Sequence, residues 1–310
     1  MMRSTLLWLS QRQGMANFVR NNKLASRFAA RFVAGETIDD AVRAATELQA
    51  KGITVSLDML GESVHQPDEA GRARDMYIDI LKAMRASGLE INASLKPTQM
   101  GLDIDPELCE RNIRSILDVA RESSAFVRLD MEGSAYTQRT LDFFEQRLFP
   151  DYGRNTGVVI QAALRRSTDD IAQLNRLGAR VRLCKGAYLE PPDVAFPAKK
   201  DVDAHYVRLM EALLTDGNYP GIATHDETIQ KHARDFVAAH GIARDRFEFQ
   251  MLYGIRRDLQ EQLVKDGYRV RVYVPFGTQW YPYLMRRLAE RPANIAFILG
   301  SVLKEGSRRS

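Results

Sequence analysis

A chain of 310 residues, 45% hydrophobic and 27% charged, has enough apolar side chains for a full core and lacks the bias of disordered or fibrous proteins. Its 44 Lys and Arg face 40 Asp and Glu spread throughout, a net +4, and no basic run is long enough to make a nucleic-acid stripe. RNP, zinc-finger and homeodomain patterns are absent, so no nucleic-acid partner is expected. No apolar run approaches the ~20 residues that span a bilayer, and the N-terminal LLWL is too short for a signal core. Mild basicity suits an anionic substrate or a negatively charged membrane surface. The two cysteines, Cys109 in a helical stretch and Cys184 in an apolar strand, read as reduced thiols of a cytoplasmic protein.

Residues 1–48 read as N-terminal helices that pack on the remainder, with Thr37 and Asp40 spaced as a helix cap before AVRAATELQAKG, which ends at Gly52. From there the pattern changes. Eight short β-branched or apolar runs alternate with amphipathic stretches: ITVSLDML, LEINASLKP, AFVRLDME, GVVIQAAL, RVRLCKG, PGIATHD, FEFQMLYG and RVRVYVPFG. Such alternation predicts βα units, and eight units over 49–310 fit one (βα)8 barrel of the TIM type. A doubly wound sheet is disfavoured because no G-x-G-x-x-G follows any strand.

In such barrels the chemistry sits at the strand C-termini. Those positions hold Asp58 and Glu62; Lys96; Asp130 and Glu132; Gln161; Arg182, Lys185 and Tyr188; Thr224, His225 and Asp226; Tyr253; and Tyr273. Each has a bland explanation by itself. Asp130 and Lys96 read equally well as a structural ion pair, His225–Asp226 as a helix cap, and Tyr273 as barrel filling. A polar or charged group at every strand end is harder to ascribe to chance. Past the last strand, YLMRRLAER puts Tyr283, Arg286, Arg287 and Glu290 on one helix face. Paired guanidiniums suit a carboxylate or phosphate, although a lone RRxxE is commonly a solvated surface.

Metal chemistry is poorly supported, since the five histidines are scattered and no H-E-x-x-H occurs. No Ser nucleophile elbow is present either. A Schiff-base lysine lyase at Lys96 or Lys185 is chemically open, although a nearby Asp130 would keep Lys96 protonated. A non-catalytic carboxylate-binding module is the third reading. The remaining fit is a cationic site that holds a carboxylate beside an electron-rich cofactor, with Arg182 favouring the reduced, anionic ring.

Eight blocks carry a family likeness: LDMLGE at 57–62, SLKPTQMG at 94–101, VRLDMEG at 127–133, VRLCKGAY at 181–188, THD at 224–226, FQMLYG at 249–254, VYVPFG at 272–277 and YLMRRLAE at 283–290. In order and over nearly the whole length, they resemble the short bacterial monofunctional proline dehydrogenases. The resemblance implies a distorted (βα)8 barrel that uses FAD to oxidise L-proline to Δ1-pyrroline-5-carboxylate and passes the electrons to membrane quinone. It implies peripheral contact with the inner membrane, and transient contact with a separate pyrroline-5-carboxylate dehydrogenase that takes the product onward.

By position, the resemblance makes Lys96, Arg286 and Arg287 the grip on the substrate carboxylate, with Asp130 pairing with Lys96. Arg182 is implied to reach the flavin N5 region, and Tyr273 and Tyr283 to wall the substrate ring. Met131, Gln161, Arg182, Lys185, Gly186, Ala187, Tyr188, Thr224 and His225 match cofactor-holding positions. Glu62 resembles a gate partner of Arg286, with Glu290 on the same helix face. Tyr273 also implies preference for proline over 4-hydroxyproline.

Counted from a cap at Thr278, Arg286 lies about 12 Å along its helix. Laid against the outer wall, that helix would carry its arginines away from the active face, so it is expected to be displaced over the barrel mouth. Pro282 allows a later start capped by Tyr281. Three departures from the family pattern stand out: Cys184 where Val is frequent, Leu189 where longer relatives carry Trp, and EPPDVAFPAKKD at 190–201, read as a long loop after strand five.

Overall fold

The computed structural model describes residues 30–61 and 63–290, with the backbone alone for 286–290. All eight predicted strands form: β1 Thr54–Met59, β2 Asn92–Leu95, β3 Phe126–Leu129, β4 Thr156–Gln161, β5 Arg180–Cys184, β6 Gly221–Ala223, β7 Glu248–Leu252 and β8 Val270–Phe276. They pair in parallel, each with its sequence neighbour, and β8 closes on β1 from Thr54↔Arg271 to Met59↔Phe276. The result is a closed (βα)8 barrel, as the alternation predicted.

Ten α-helices are described: α1 Ile38–Gln49, α2 Pro67–Ala86, α3 Pro106–Glu122, α4 Ser134–Phe143, α5 Phe149–Tyr152, α6 Ser167–Leu177, α7 Lys199–Asp216, α8 Glu227–Ala239, α9 Arg257–Lys265 and α10 Trp280–Glu290. Local chemistry sets their starts. Thr37 and Asp40 form the expected reciprocal cap on α1. Pro67 and Pro106 open α2 and α3, where a missing N–H costs nothing. Cys109 is buried in α3, Cys184 ends β5, and the two are not joined in a disulfide.

One feature of the wall positions the site. Helix α1 presents Ala41, Ala44 and Ala45 inward and packs against both β1 and β8. That groove is where the helix after β8 sits in a regular barrel, so the last helix must go elsewhere. Helix α10 instead gathers Trp280, Tyr281, Tyr283, Leu284 and Met285 into a second core with Phe32, Val33 and Leu60, and with Ile255 against it. Leu60 follows β1 and Ile255 follows β7, so this core lies at the strand C-termini, and the final helix is displaced toward the barrel mouth. Trp280 Nε1 donates to Glu36 Oε1 at 3.0 Å, tying the helix to the segment before α1.

Its start differs from both expectations. The helix begins at Trp280, neither after a Thr278 cap nor after Tyr281, and Pro282 falls within the first turn, where it removes no intrahelical hydrogen bond.

Candidate active site

Strand alternation sends one set of side chains outward to the helices and the other into the barrel. Outward go Val55, Leu57, Ala93, Leu95, Val181, Leu183, Val272 and Val274, all buried in the main core. Inward come Ser56, Asp58, Ser94, Arg128, Arg182, Glu248, Gln250, Arg271 and Tyr273. The first eight of these are at most 6% exposed, an unusually polar filling for a barrel of this kind. Burying so many charges costs heavily unless each is paired. Most are paired: Arg271 Nε meets Glu248 Oε1 at 2.8 Å, whereas Arg128 has no carboxylate against it among the described residues and its Nη1 donates only to the carbonyls of Val158 and Arg180.

Arg182 stands at the centre of the upper layer. Its Nη1 lies 2.7 Å from Asp130 Oδ1, its Nε 2.5 Å from Gln250 Oε1 and its Nη2 3.0 Å from Ser94 Oγ. Acceptors from three separate parts of the barrel thus fix one planar fork, whose five N–H groups leave donor capacity for an anionic group at the mouth. Tyr273 Oη donates to Asp130 Oδ2 at 2.8 Å, and the Arg182 guanidinium lies 5.2 Å over the Tyr273 ring. Burial, with Asp130 and Asp58 nearby, pushes the Tyr273 phenol well above its usual range, so it stays protonated and donates.

Lys96, just beyond β2, lies 3.3 Å from Asp58 Oδ1. Burial raises the Asp58 carboxyl, the Lys96 charge opposes that, and Asp130 adds to it; the net direction is upward. The expected Asp130–Lys96 pair is therefore corrected. Asp130 binds Arg182 and Tyr273, and Asp58, deeper and 1% exposed, carries the ion pair with Lys96.

The opposite rim is built from β4 to β7. Lys185 Nζ bridges Asp203 at 2.5 Å and Asp226 at 3.0 Å, and Asp226 also accepts from Thr228 N at the start of α8. Gly186 sits at φ +104°, a conformation that L side chains rarely adopt, and a Cβ there would lie 3.1 Å from both Gln161 and Ala163. The Gln161 amide donates to the Glu132 carbonyl at 2.8 Å, next to the buried Met131. Thr224 Oγ1 accepts from Asp226 N, and His225 Nε2 accepts from Leu252 N at 2.9 Å, which assigns the ring proton to Nδ1. Ala187 and Tyr188 follow on the loop after β5, where Tyr188 and Leu189 are exposed apolar groups at 38% and 61%. That loop ends at Ala198, since α7 already starts at Lys199, three residues before the predicted end. Glu190 ties it to α4 by accepting from Ser134 N at 2.8 Å.

The structure thus gathers Asp130, Arg182 and Tyr273 into one hydrogen-bonded unit, sets Lys96 beside it on Asp58, and puts the Gln161–Lys185–Thr224–His225 group on the facing rim. Tyr283, on α10, is buried in the second core. The backbones of Arg286, Arg287 and Glu290 belong to α10, but their side chains, like the whole of Glu62, lie outside the described residues. Sequence reading missed Gln250, Ser94 and Asp203 as partners. Strand alternation already marked Ser94 and Gln250 as facing inward, but it named no partner for them.

A profile of the family described as "Proline dehydrogenase" matches residues 41–299. The chain is 43% identical over 306 residues to "Proline dehydrogenase" of Deinococcus radiodurans, covering 97% of this chain and 98% of that protein. It is 41% identical over 307 residues to "Proline dehydrogenase 1" of Bacillus subtilis subsp. natto, covering 98% and 100%. The chain belongs to the proline dehydrogenase family. The same barrel occurs in proline utilization A (PutA) from Bdellovibrio bacteriovorus, crystallised after inactivation by N-propargylglycine. That likeness has a TM-score of 0.82 at 26% identity and covers 93% of this chain but 35% of that longer one. Among the described residues no helix is long and apolar enough to cross a membrane.

Proposed function

We propose that this protein oxidises L-proline to Δ1-pyrroline-5-carboxylate with FAD, the electrons passing to membrane quinone. The reading is carried by the near full-length likeness to proline dehydrogenases of the same size, together with the Asp130–Arg182–Tyr273 unit at the barrel mouth. A flavin fits the residues present. Arg182 offers fixed positive charge, the Gly186 turn brings backbone where a Cβ would not fit, and Tyr188 and Leu189 supply apolar surface. When bound, the flavin supplies the acceptor for the hydride that leaves the carbon beside the proline nitrogen.

The chain's own residues bind and orient. Lys96, with Arg286 and Arg287 of α10, holds the substrate carboxylate, and Asp58 limits the reach of the Lys96 ammonium. Tyr273, locked by Asp130, walls the substrate ring together with Tyr283, and the closeness this enforces is the main catalytic device. Arg182 favours negative charge on the cofactor. Met131, Gln161, Lys185, Gly186, Ala187, Tyr188, Thr224 and His225 border the cofactor. Glu62 and Glu290 act with Arg286 as the gate over bound substrate. The protein works in the cytoplasm and meets quinone at the inner membrane surface, and a separate pyrroline-5-carboxylate dehydrogenase consumes the product.

A Schiff-base mechanism gains nothing from the geometry. Lys96 lies against Asp58, and Lys185 against Asp203 and Asp226, whereas that chemistry needs a bare amine. An absorption spectrum before and after proline tests the proposal. The purified protein should be yellow and bleach anaerobically with proline. A colourless protein, or a flavin indifferent to proline, would overturn it.

A further inference from the structure

Beneath Arg182 lies a chain of buried polar contacts that the hydride step itself does not use. Gln250 of β7 places its amide between two opposite charges: Oε1 accepts from Arg182 Nε at 2.5 Å, and Nε2 donates to Glu248 Oε1 at 2.6 Å. Only one orientation of the amide satisfies both neighbours. Glu248 is in turn matched by Arg271 at 2.8 Å. Gln250, Glu248 and Arg271 are all at most 4% exposed, so no solvent screens these charges from one another. The adjacent strand leaves the amide its space, because a Cβ on Gly221 would come within 2.5 Å of Gln250 Nε2.

We propose that Gln250 is a positioning residue with two tasks: it aims the Arg182 guanidinium at the barrel mouth, and as a neutral spacer it keeps the Glu248 carboxylate from cancelling the charge that Arg182 presents there. The inference rests on the flavin reading above. Arg182 already has one carboxylate, Asp130, at 2.7 Å. A second carboxylate in contact would leave the fork with net negative surroundings, which disfavours a reduced, anionic ring beside it. A glutamine gives the Nε–H its acceptor without adding charge, and Glu248 has its own cation in Arg271, which it shares with Glu90 at 2.5 Å on the far side.

The test uses full-length protein with its flavin and three variants: Gln250→Glu, Gln250→Met and Glu248→Gln. Midpoint potential, kcat and KM for proline, and melting temperature are read for each. Gln250→Met should lower kcat about tenfold with KM within about twofold, the loss of one hydrogen bond to a charged group. Gln250→Glu, at a pH high enough to remove the proton its carboxyl shares with Glu248, should make the potential more negative by about 30 mV, a tenfold shift for a two-electron couple. Glu248→Gln should lower the melting temperature, because Arg271 loses its buried counter-charge, and leave the potential near wild type.

Wild-type potentials and kcat in both Gln250 variants would overturn the proposal, as would a Glu248→Gln potential shift equal to that of Gln250→Glu. The Arg182 Nε–H signal in 15N NMR, assigned with Arg182→Lys, reads the positioning role independently of the flavin. Its loss in Gln250→Met and retention in Glu248→Gln supports the positioning role even in a protein that proves to hold no flavin. Its retention in Gln250→Met removes that role.

Discussion

Asp130 joins Arg182 to Tyr273: one carboxylate oxygen takes the guanidinium at 2.7 Å, the other takes the phenol at 2.8 Å. A cation and an aromatic wall from strands that do not neighbour each other are thereby held as one rigid piece.

Removing the centre of that piece should damage stability and rate together. Asp130→Ala leaves Arg182, 7% exposed, without its counter-ion, and is expected to cost about 3–5 kcal/mol in urea denaturation. The loss of charge-assisted hydrogen bonds should lower kcat/KM by roughly 10- to 100-fold. A variant of wild-type stability would show that the pair is energetically idle.

Lys96 depends on Asp58 for its direction. A lysine ammonium is a point charge on a flexible stem, and here a carboxylate 1% exposed restrains it at 3.3 Å. Asp58→Asn should raise KM for proline about tenfold and leave kcat within about threefold, since the hydrogen bond persists but the charge does not. Equal loss in kcat would place Asp58 in the chemical step instead.

The ring of Tyr273 is pinned at its hydroxyl by Asp130 and lies under Arg182 on one face, so it cannot swing aside for a bulkier substrate. Tyr273→Ala should raise the 4-hydroxyproline to proline ratio of kcat/KM by about tenfold or more, mainly through loss on proline. Comparable kcat/KM for both substrates in the wild type would remove Tyr273 as the determinant.

A pH effect on stability resides behind the Gln161–Lys185 rim, at His205 in α7. Its Nδ1–H donates to the Ala162 carbonyl at 2.8 Å, and Nε2 accepts from Thr168 Oγ1 at 2.9 Å, so the neutral ring is the one that fits. Burial holds its pKa below the usual 6.5, outweighing the carbonyl contact. The unfolded chain therefore binds the proton first, and the stability from His205 is present above about pH 6.5 and lost as pH falls toward the folded value. Melting temperatures across that window should fall less steeply in His205→Gln than in wild type. Parallel slopes would assign the loss to other groups.

The reach of the sequence can be judged at particular residues. Alternation in RVRLC and VRVYVPF already set Arg182 and Tyr273 on the face opposite the valines, and Thr37–Asp40 announced the start of α1, because these are properties of consecutive residues. No local signal could say that Asp130 would bind Arg182 instead of Lys96, or that Gln250 would lie between Arg182 and Glu248. Inward side chains from β2, β3, β5 and β7 become neighbours only when the sheet closes, and the stagger of that closure decides which strand positions stand level. The place of α10 was fixed in the same way. Its arginine pair was visible in the sequence, but its displacement follows from α1 having filled the wall between β8 and β1, a competition for space that exists only in three dimensions.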